Sequence, residues 1–233
     1  MTQLHILSAG AAKGLVLALQ EQFAAAHDAA LDCTFGAVGA IRDKLLDGEP
    51  CDVIILTQAI IDTLAAQQRV IAATVAPLGR VYTGIAVPDA QPAPEIGSAE
   101  QLRSALLNSR GIYLPDPEHA TAGIHFANVL RELGVYDDVR NWLRPFPSGA
   151  IAMRAMADAG EPDLIGCTQV TEINYTPGVR LAGLLPSQFA LATLYSAAVC
   201  ADSAGGALAQ DFVSLLSGPE SRSLRTRGGF IID

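Results

Sequence analysis

The chain has 233 residues, 50% hydrophobic and 17% charged, which excludes a disordered polymer and is enough for one large domain or two lobes of about 100 residues each. A formal net charge of −9, with only 15 Lys and Arg, excludes non-specific nucleic-acid binding, which needs clustered cations. No apolar run reaches the roughly 18 residues of a membrane-spanning helix, and the start lacks the basic-then-apolar pattern of an export signal. With Met1 as the native start the expected location is the cytoplasm; with a signal peptide removed it is the periplasm.

In chain order, residues 4–7 read as a strand, and Leu15, Leu19 and Phe23 give the apolar stripe of the helix after it. Between them Ser8, Ala9, Gly10, Ala11 and Ala12 form a small-residue turn with the Ser8 hydroxyl at the expected capping position. Such a helix start offers an anion free backbone N–H groups and the positive end of the helix dipole. Residues 31–35 form a second strand, and GAVGA, with Gly39 and Ala40, makes a second junction before a helix carrying Ile41 and Leu45. Arg42 in that helix's first turn opposes the dipole. It is either the partner of a bound carboxylate or a solvated side chain paired with Asp43 or Glu49. DVIIL at 52–56 is a strand of the type buried on both faces, ending at Thr57, where open α/β sheets face their crevice.

Residues 81–87 read as a strand before a proline-rich connector, and Ser98 and Gln101 have capping-box spacing for a helix with Leu102, Leu106 and Leu107. The stretch GIYLPDPEHATAGIHFANVLRELG, 111–134, reads as strand, turn and helix, with Thr121 as cap, Ile124, Ala127, Leu130 and Leu133 inward, and Gly134 at the end. Its first turn, Thr121, Ala122 and Gly123, is small enough for a ligand to approach. Ser148, Gly149 and Ala150 open another helix with Ile151, Ala155 and Met156 inward. Residues 164–166 form a strand leading to Cys167, Thr168 and Gln169. Extended runs at 81–87 and 189–198 flank an α/β block, as a two-strand hinge requires. The tail carries a helix with Leu208, Phe212 and Leu215 and another with Pro219 at its first position. Cys33, Cys51, Cys167 and Cys200 lack zinc-ligand spacing, so no metal is expected, and Cys33, Cys51 and Cys200 sit in or beside apolar segments that favour reduced thiols.

The order of elements, with LSAGAAKGL, GEPCDVIILT, DPEHATAGIHFANVLRELGVYDDV, GEPDLIGCTQV, YSAAVCADS and SGPESRSLRTRGGF, resembles the type 2 periplasmic-binding-protein fold and, within it, the molybdate-binding family. The resemblance covers nearly the whole chain. It implies an α/β fold of two lobes, each a mixed, mostly parallel sheet flanked by helices: lobe I from 1–82 and 196–233, lobe II from 83–195, a two-strand hinge, and a ligand cleft between them. The ligand positions it implies are Ser8, Ala9, Gly39, Ala40, Ala122, Gly123, Ser148, Gly149, Cys167 and Thr168; Arg42, Thr57 and Thr121 join them from the residue reading. The chain departs from the family where a serine-rich second junction is replaced by GAVGAI and a common tyrosine by Cys167. A guanidinium suits a planar carboxylate, so the expected ligand is an organic carboxylate more than molybdate.

A family of transport receptors implies an ABC-transporter permease as partner only if the protein is exported. The alternative is a cytoplasmic enzyme on the same fold, an isomerase or tautomerase of a small unsaturated di- or tricarboxylic acid, with Glu118 and His119 as acid/base groups beside the anion site. No P-loop or dinucleotide fingerprint is present, and no cofactor is expected.

Overall fold

The computed structural model describes residues 2–232. It divides into two compact units, Met1–Val81 with Thr193–Asp233, and Tyr82–Ala192. The first unit runs β1 (Thr2–Ala9), a 3-10 turn (Gly10–Ala12), α1 (Lys13–His27), β2 (Ala29–Gly36), α2 (Val38–Leu46), β3 (Val53–Thr57) and α3 (Gln58–Ala66). Strand β4 (Ala76–Pro88) carries the chain into the second unit. There follow α4 (Ala99–Leu107), β5 (Gly111–Pro115), α5 (Thr121–Glu132), α6 (Tyr136–Val139), β6 (Leu143–Phe146), α7 (Gly149–Asp158), β7 (Leu164–Gln169), α8 (Val170–Asn174) and β8 (Val179–Leu184). Strand β9 (Ala192–Val199) returns to the first unit, which ends with α9 (Gly206–Ser217) and α10 (Arg222–Gly228).

In the first unit β1 pairs in parallel with β2 and β3, and β9 adds to β3 antiparallel. Parallel strands buried on both faces explain why 53–56 reads as an unbroken apolar run: Val53, Ile54, Ile55 and Leu56 are all fully buried. Helix α1 buries Leu15, Val16, Leu19 and Phe23, and Phe23 meets Phe212 of α9 edge-on, with centroids 4.9 Å apart. In the second unit β5 pairs in parallel with β6 and β7, while β4 runs antiparallel to β7 and β8. Side-chain alternation sends Ile112, Leu114, Ile165 and Cys167 into one apolar cluster with Phe126 and Leu130 of α5, and Tyr113 and Leu164 into another with Met153 and Met156 of α7.

Several local expectations are corrected. Ser8 lies inside β1 and caps nothing; Thr121 is the first helical residue of α5, whose N-cap is Ala120. The buried face of α5 is Ala122, Gly123, Phe126, Ala127, Val129 and Leu130, with Ile124 41% exposed, because residues at i+3 and i+4 from Ala122 and Phe126 face the sheet. Helix α7 likewise turns Ala152, Met153 and Met156 inward and leaves Ile151 outside. Pro219 precedes α10, whose N-cap is Ser221. The capping box at Ser98 and Gln101 is present in full.

Candidate functional site

In the first unit, the register Ala9↔Gly36 and Ser8↔Ile55 brings the C-terminal ends of β1, β2 and β3 to one sheet edge. Three chain turns leave from it. Their N-caps are Ala9 before the 3-10 turn, Ala37 before α2 and Thr57 before α3, and none has a side-chain cap. Alanine has no oxygen with which to satisfy the first-turn N–H groups, so Gly39 and Ala40 begin a helix end left open to an outside acceptor. The Ser8 hydroxyl is fully buried and donates to the Ala9 carbonyl at 3.0 Å. Arg42 is the fifth residue of α2, beyond its first turn. Its guanidinium donates to Asp43 Oδ1 at 2.7 and 2.9 Å on an exposed face, which is the solvated pairing among the two readings of this residue.

In the second unit, Pro115↔Phe146 and Tyr113↔Gly166 place the ends of β5, β6 and β7 at a common edge. Helix α5 leaves it without a side-chain cap, so Thr121 and Ala122 form its open first turn. The space at Gly123, expected to admit a ligand, is filled by the chain itself: a β-carbon there would overlap the Pro115 and Asp116 carbonyl oxygens. The same holds at Gly149, where a β-carbon would overlap Thr168 Oγ1 and Glu172 Oε2. Ser148 caps α7 by accepting from the Ile151 N–H at 3.4 Å.

The α7 terminus already holds an anion-type group of its own. Glu172 accepts from the Ala150 N–H at 3.2 Å and the Thr168 hydroxyl at 2.5 Å. Burial pushes its carboxyl above the ordinary range, more than the hydrogen bonds from Thr168, Ala150, Gln169 and Gly149 lower it. Ser148, Gly149 and Thr168 are therefore engaged by Glu172 or by the cap. Cys167 is corrected as a ligand group: strand alternation points its thiol into the apolar cluster of α5, opposite to Thr168, and burial raises its pKa.

Beside these lies a group of buried polar side chains at the end of β7. Both amide atoms of Gln169 and the hydroxyls of Thr83 and Thr171 are buried and find no hydrogen-bond partner, and Thr83 and Gln169 are direct cross-strand neighbours at the end of β7. Gln169 is 3% exposed. Buried polar atoms are normally paired, which makes these the side chains of the second unit suited to a polar guest. The sequence placed Gln169 at a polar strand end but not beside Thr83, because the pairing of β4 with β7 is a tertiary fact.

Glu118 and His119 occupy the exposed turn before α5. Asp116, not they, organises it: its carboxylate accepts from the Glu118 N–H at 2.7 Å and the His119 N–H at 3.0 Å, and lies 3.2 Å from His119 Nδ1. Burial works against the charged form, but these bonds outweigh it and hold Asp116 below its ordinary pKa. His125 contacts the Phe189 carbonyl through Nε2 at 2.8 Å, a structural role. Among the described residues no cluster of His, Cys, Asp and Glu could hold a metal, and no helix is long and apolar enough to cross a membrane. A depression of about 420 Å³ by Glu95, Gln101, Asn108 and Asp163 lies at the opposite ends of the strands, where its carboxylates would repel an anion.

Mixed sheets, with strand ends gathered at one edge of each unit and helices leaving from it, fit the type 2 periplasmic-binding-protein class. The chain belongs to the bacterial extracellular solute-binding protein family, whose model matches residues 4–231. It is 25% identical over 212 residues to the aconitate isomerase of a Pseudomonas species, spanning 87% of this chain and 78% of that one. It is 28% identical over 131 residues to the molybdate-binding protein ModA of Escherichia coli, spanning 55% of this chain and 49% of that one. Among solved structures, the periplasmic molybdate-binding protein of Azotobacter vinelandii superposes with a TM-score of 0.79 at 19% identity over 99% of both chains. The sulfate-binding protein SubI of Mycobacterium tuberculosis gives 0.72 at 17% identity over 99% of this chain and 86% of that one. The chain is a solute-binding protein that resembles molybdate- and sulfate-binding proteins.

Proposed function

We propose that the solute is a small organic carboxylate held by neutral donors. These are the α5 turn at Thr121 and Ala122 together with Gln169, Thr83 and Thr171, all in the second unit. The observation that carries this reading is the buried, unpartnered Gln169 amide with its neighbouring hydroxyls. An amide N–H₂ and two hydroxyls offer donors to a carboxylate without the cost of burying a cation. The likeness to an enzyme named for aconitate, a tricarboxylate, supports a carboxylate over molybdate or sulfate. Arg42, paired with Asp43, stands outside this donor set.

Thermal-shift titration with di- and tricarboxylates, molybdate, tungstate and sulfate tests the proposal. A carboxylate should raise Tm with a saturable concentration dependence, and Gln169→Leu should weaken it by about tenfold or more. Stabilisation by molybdate alone would overturn the ligand class. Arg42→Ala should change affinity by less than about twofold.

A second reading, an isomerase or tautomerase of an unsaturated acid, is supported by the same relative and by the Asp116–His119 pair beside the α5 start. A histidine oriented by a carboxylate is suited to proton transfer. NMR of a bound unsaturated tricarboxylate over hours distinguishes the two: turnover that His119→Asn abolishes favours the enzyme, and an unchanged spectrum favours the binder.

A further inference from the structure

Cys51 and Cys200 lie at the end of the first unit's sheet away from all the junctions described above. Cys51 precedes β3 by two positions and Cys200 directly follows β9; the antiparallel ladder ends at Val53↔Val199. The Cys200 N–H donates to the Asp52 carbonyl at 2.9 Å, so the two strand ends are locked together beside the thiols. The Asp52 carboxylate fixes the following loop by accepting from the His5 N–H at 2.8 Å, the Ser203 hydroxyl at 2.7 Å and the Gly205 N–H at 2.8 Å. Within this frame the two sulfurs, 149 positions apart in sequence, are 3.2 Å apart. Cys51 is half-buried and Cys200 is 2% exposed.

We infer that Cys51 and Cys200 form a redox pair that closes to a disulfide when the chain meets a low-molecular-weight disulfide oxidant. The Cys51 thiolate, the more accessible, attacks one sulfur of the oxidant, forming a mixed disulfide and releasing one thiol. Cys200 then loses its proton and attacks the Cys51 sulfur, forming the Cys51–Cys200 bond and expelling the second thiol. The two cysteines lose two electrons in all, the oxidant gains them, and the cysteine protons end on its two thiols. The contact with Cys51, followed by burial, raises the pKa of Cys200, so Cys51 is the thiol that reacts first. Closing the bond ties β3 to β9 and makes a covalent ring that contains the whole of the second unit. Cys33 lies in the middle of β2 and Cys167 in the core of the other unit, both apart from this pair, and burial pushes the Cys33 thiol up to about 11. They stay reduced.

The test is to equilibrate the full chain with mixtures of oxidised and reduced glutathione, alkylate the remaining thiols in denaturant and map the peptides. At a poise of about −200 mV the expected result is one cross-linked peptide joining Cys51 to Cys200, with Cys33 and Cys167 alkylated. The oxidised chain should also melt about 5 °C or more above the reduced one, a difference absent from Cys51→Ser and from Cys200→Ser. Complete alkylation of Cys51 and Cys200 at that poise would overturn the inference, as would glutathione retained on Cys51 with no cross-link.

Discussion

At the scale of single residues, Gly149 and Glu172 show how this fold handles charge. The α7 terminus presses against Thr168 and the buried Glu172 carboxyl, which leaves no room for a side chain at Gly149. Gly149→Ala should therefore cost about 2–4 kcal/mol in urea unfolding, even without any solute present. Glu172 carries a pH signature. Its folded pKa is raised above the ordinary 4.5, so its contribution to stability is complete below that value and is lost as pH rises through the folded pKa. Glu172→Gln should abolish that part of the decline, so the stability difference between variant and wild type shifts toward the variant on going from pH 4 to pH 8.

The elements are held by a few groups whose partners are far away in sequence. Asp52 accepts three hydrogen bonds that fasten the segment 203–205 to β1 and β3; burial alone would raise its pKa, but these donors bring it below 3.8. This is the opposite sign to Glu172: the stabilisation is present above pH 3.8 and is lost as pH falls through the folded pKa. Asp52→Ala leaves three donors without their acceptor and should cost about 2–4 kcal/mol, with faster amide exchange at Gly205 as the local readout. Helix α4 offers a milder case, since its capping box is exposed: Ser98→Ala should cost about 1 kcal/mol by urea unfolding.

At the scale of the molecule, the chain ends matter to the strand that leaves the first unit. Arg225 of α10 is 3% exposed; it donates to the carbonyls of Leu78, Ser217 and Gly218 at 2.8, 2.6 and 2.8 Å and to the Ser221 hydroxyl at 3.1 Å. Arg225→Met should destabilise by about 3 kcal/mol in urea, because the three carbonyls lose their donor inside the protein.

Period and punctuation made the strands, most of the helices and the run of strand-to-helix turns legible from the residues alone: DVIIL could only be a doubly buried strand, and Ser98, Gly134 and Ser148 mark helix ends by local chemistry. The same reading placed Ala127, Leu130 and Met156 inward as found but also Ile124 and Ile151, which are exposed, since an apolar residue satisfies the helical period without showing which side the sheet lies on. It offered Gly123, Gly149, Cys167 and Arg42 to a solute, and could not show the chain packed against the two glycines, the apolar cluster around the thiol or the Asp43 partner of the guanidinium. Amino-acid order, which acts through neighbours on the chain, thus determined the elements and their family. Strand pairing across long separations decided the rest, by setting Gln169 against Thr83, Glu172 against the α7 terminus and Cys51 against Cys200.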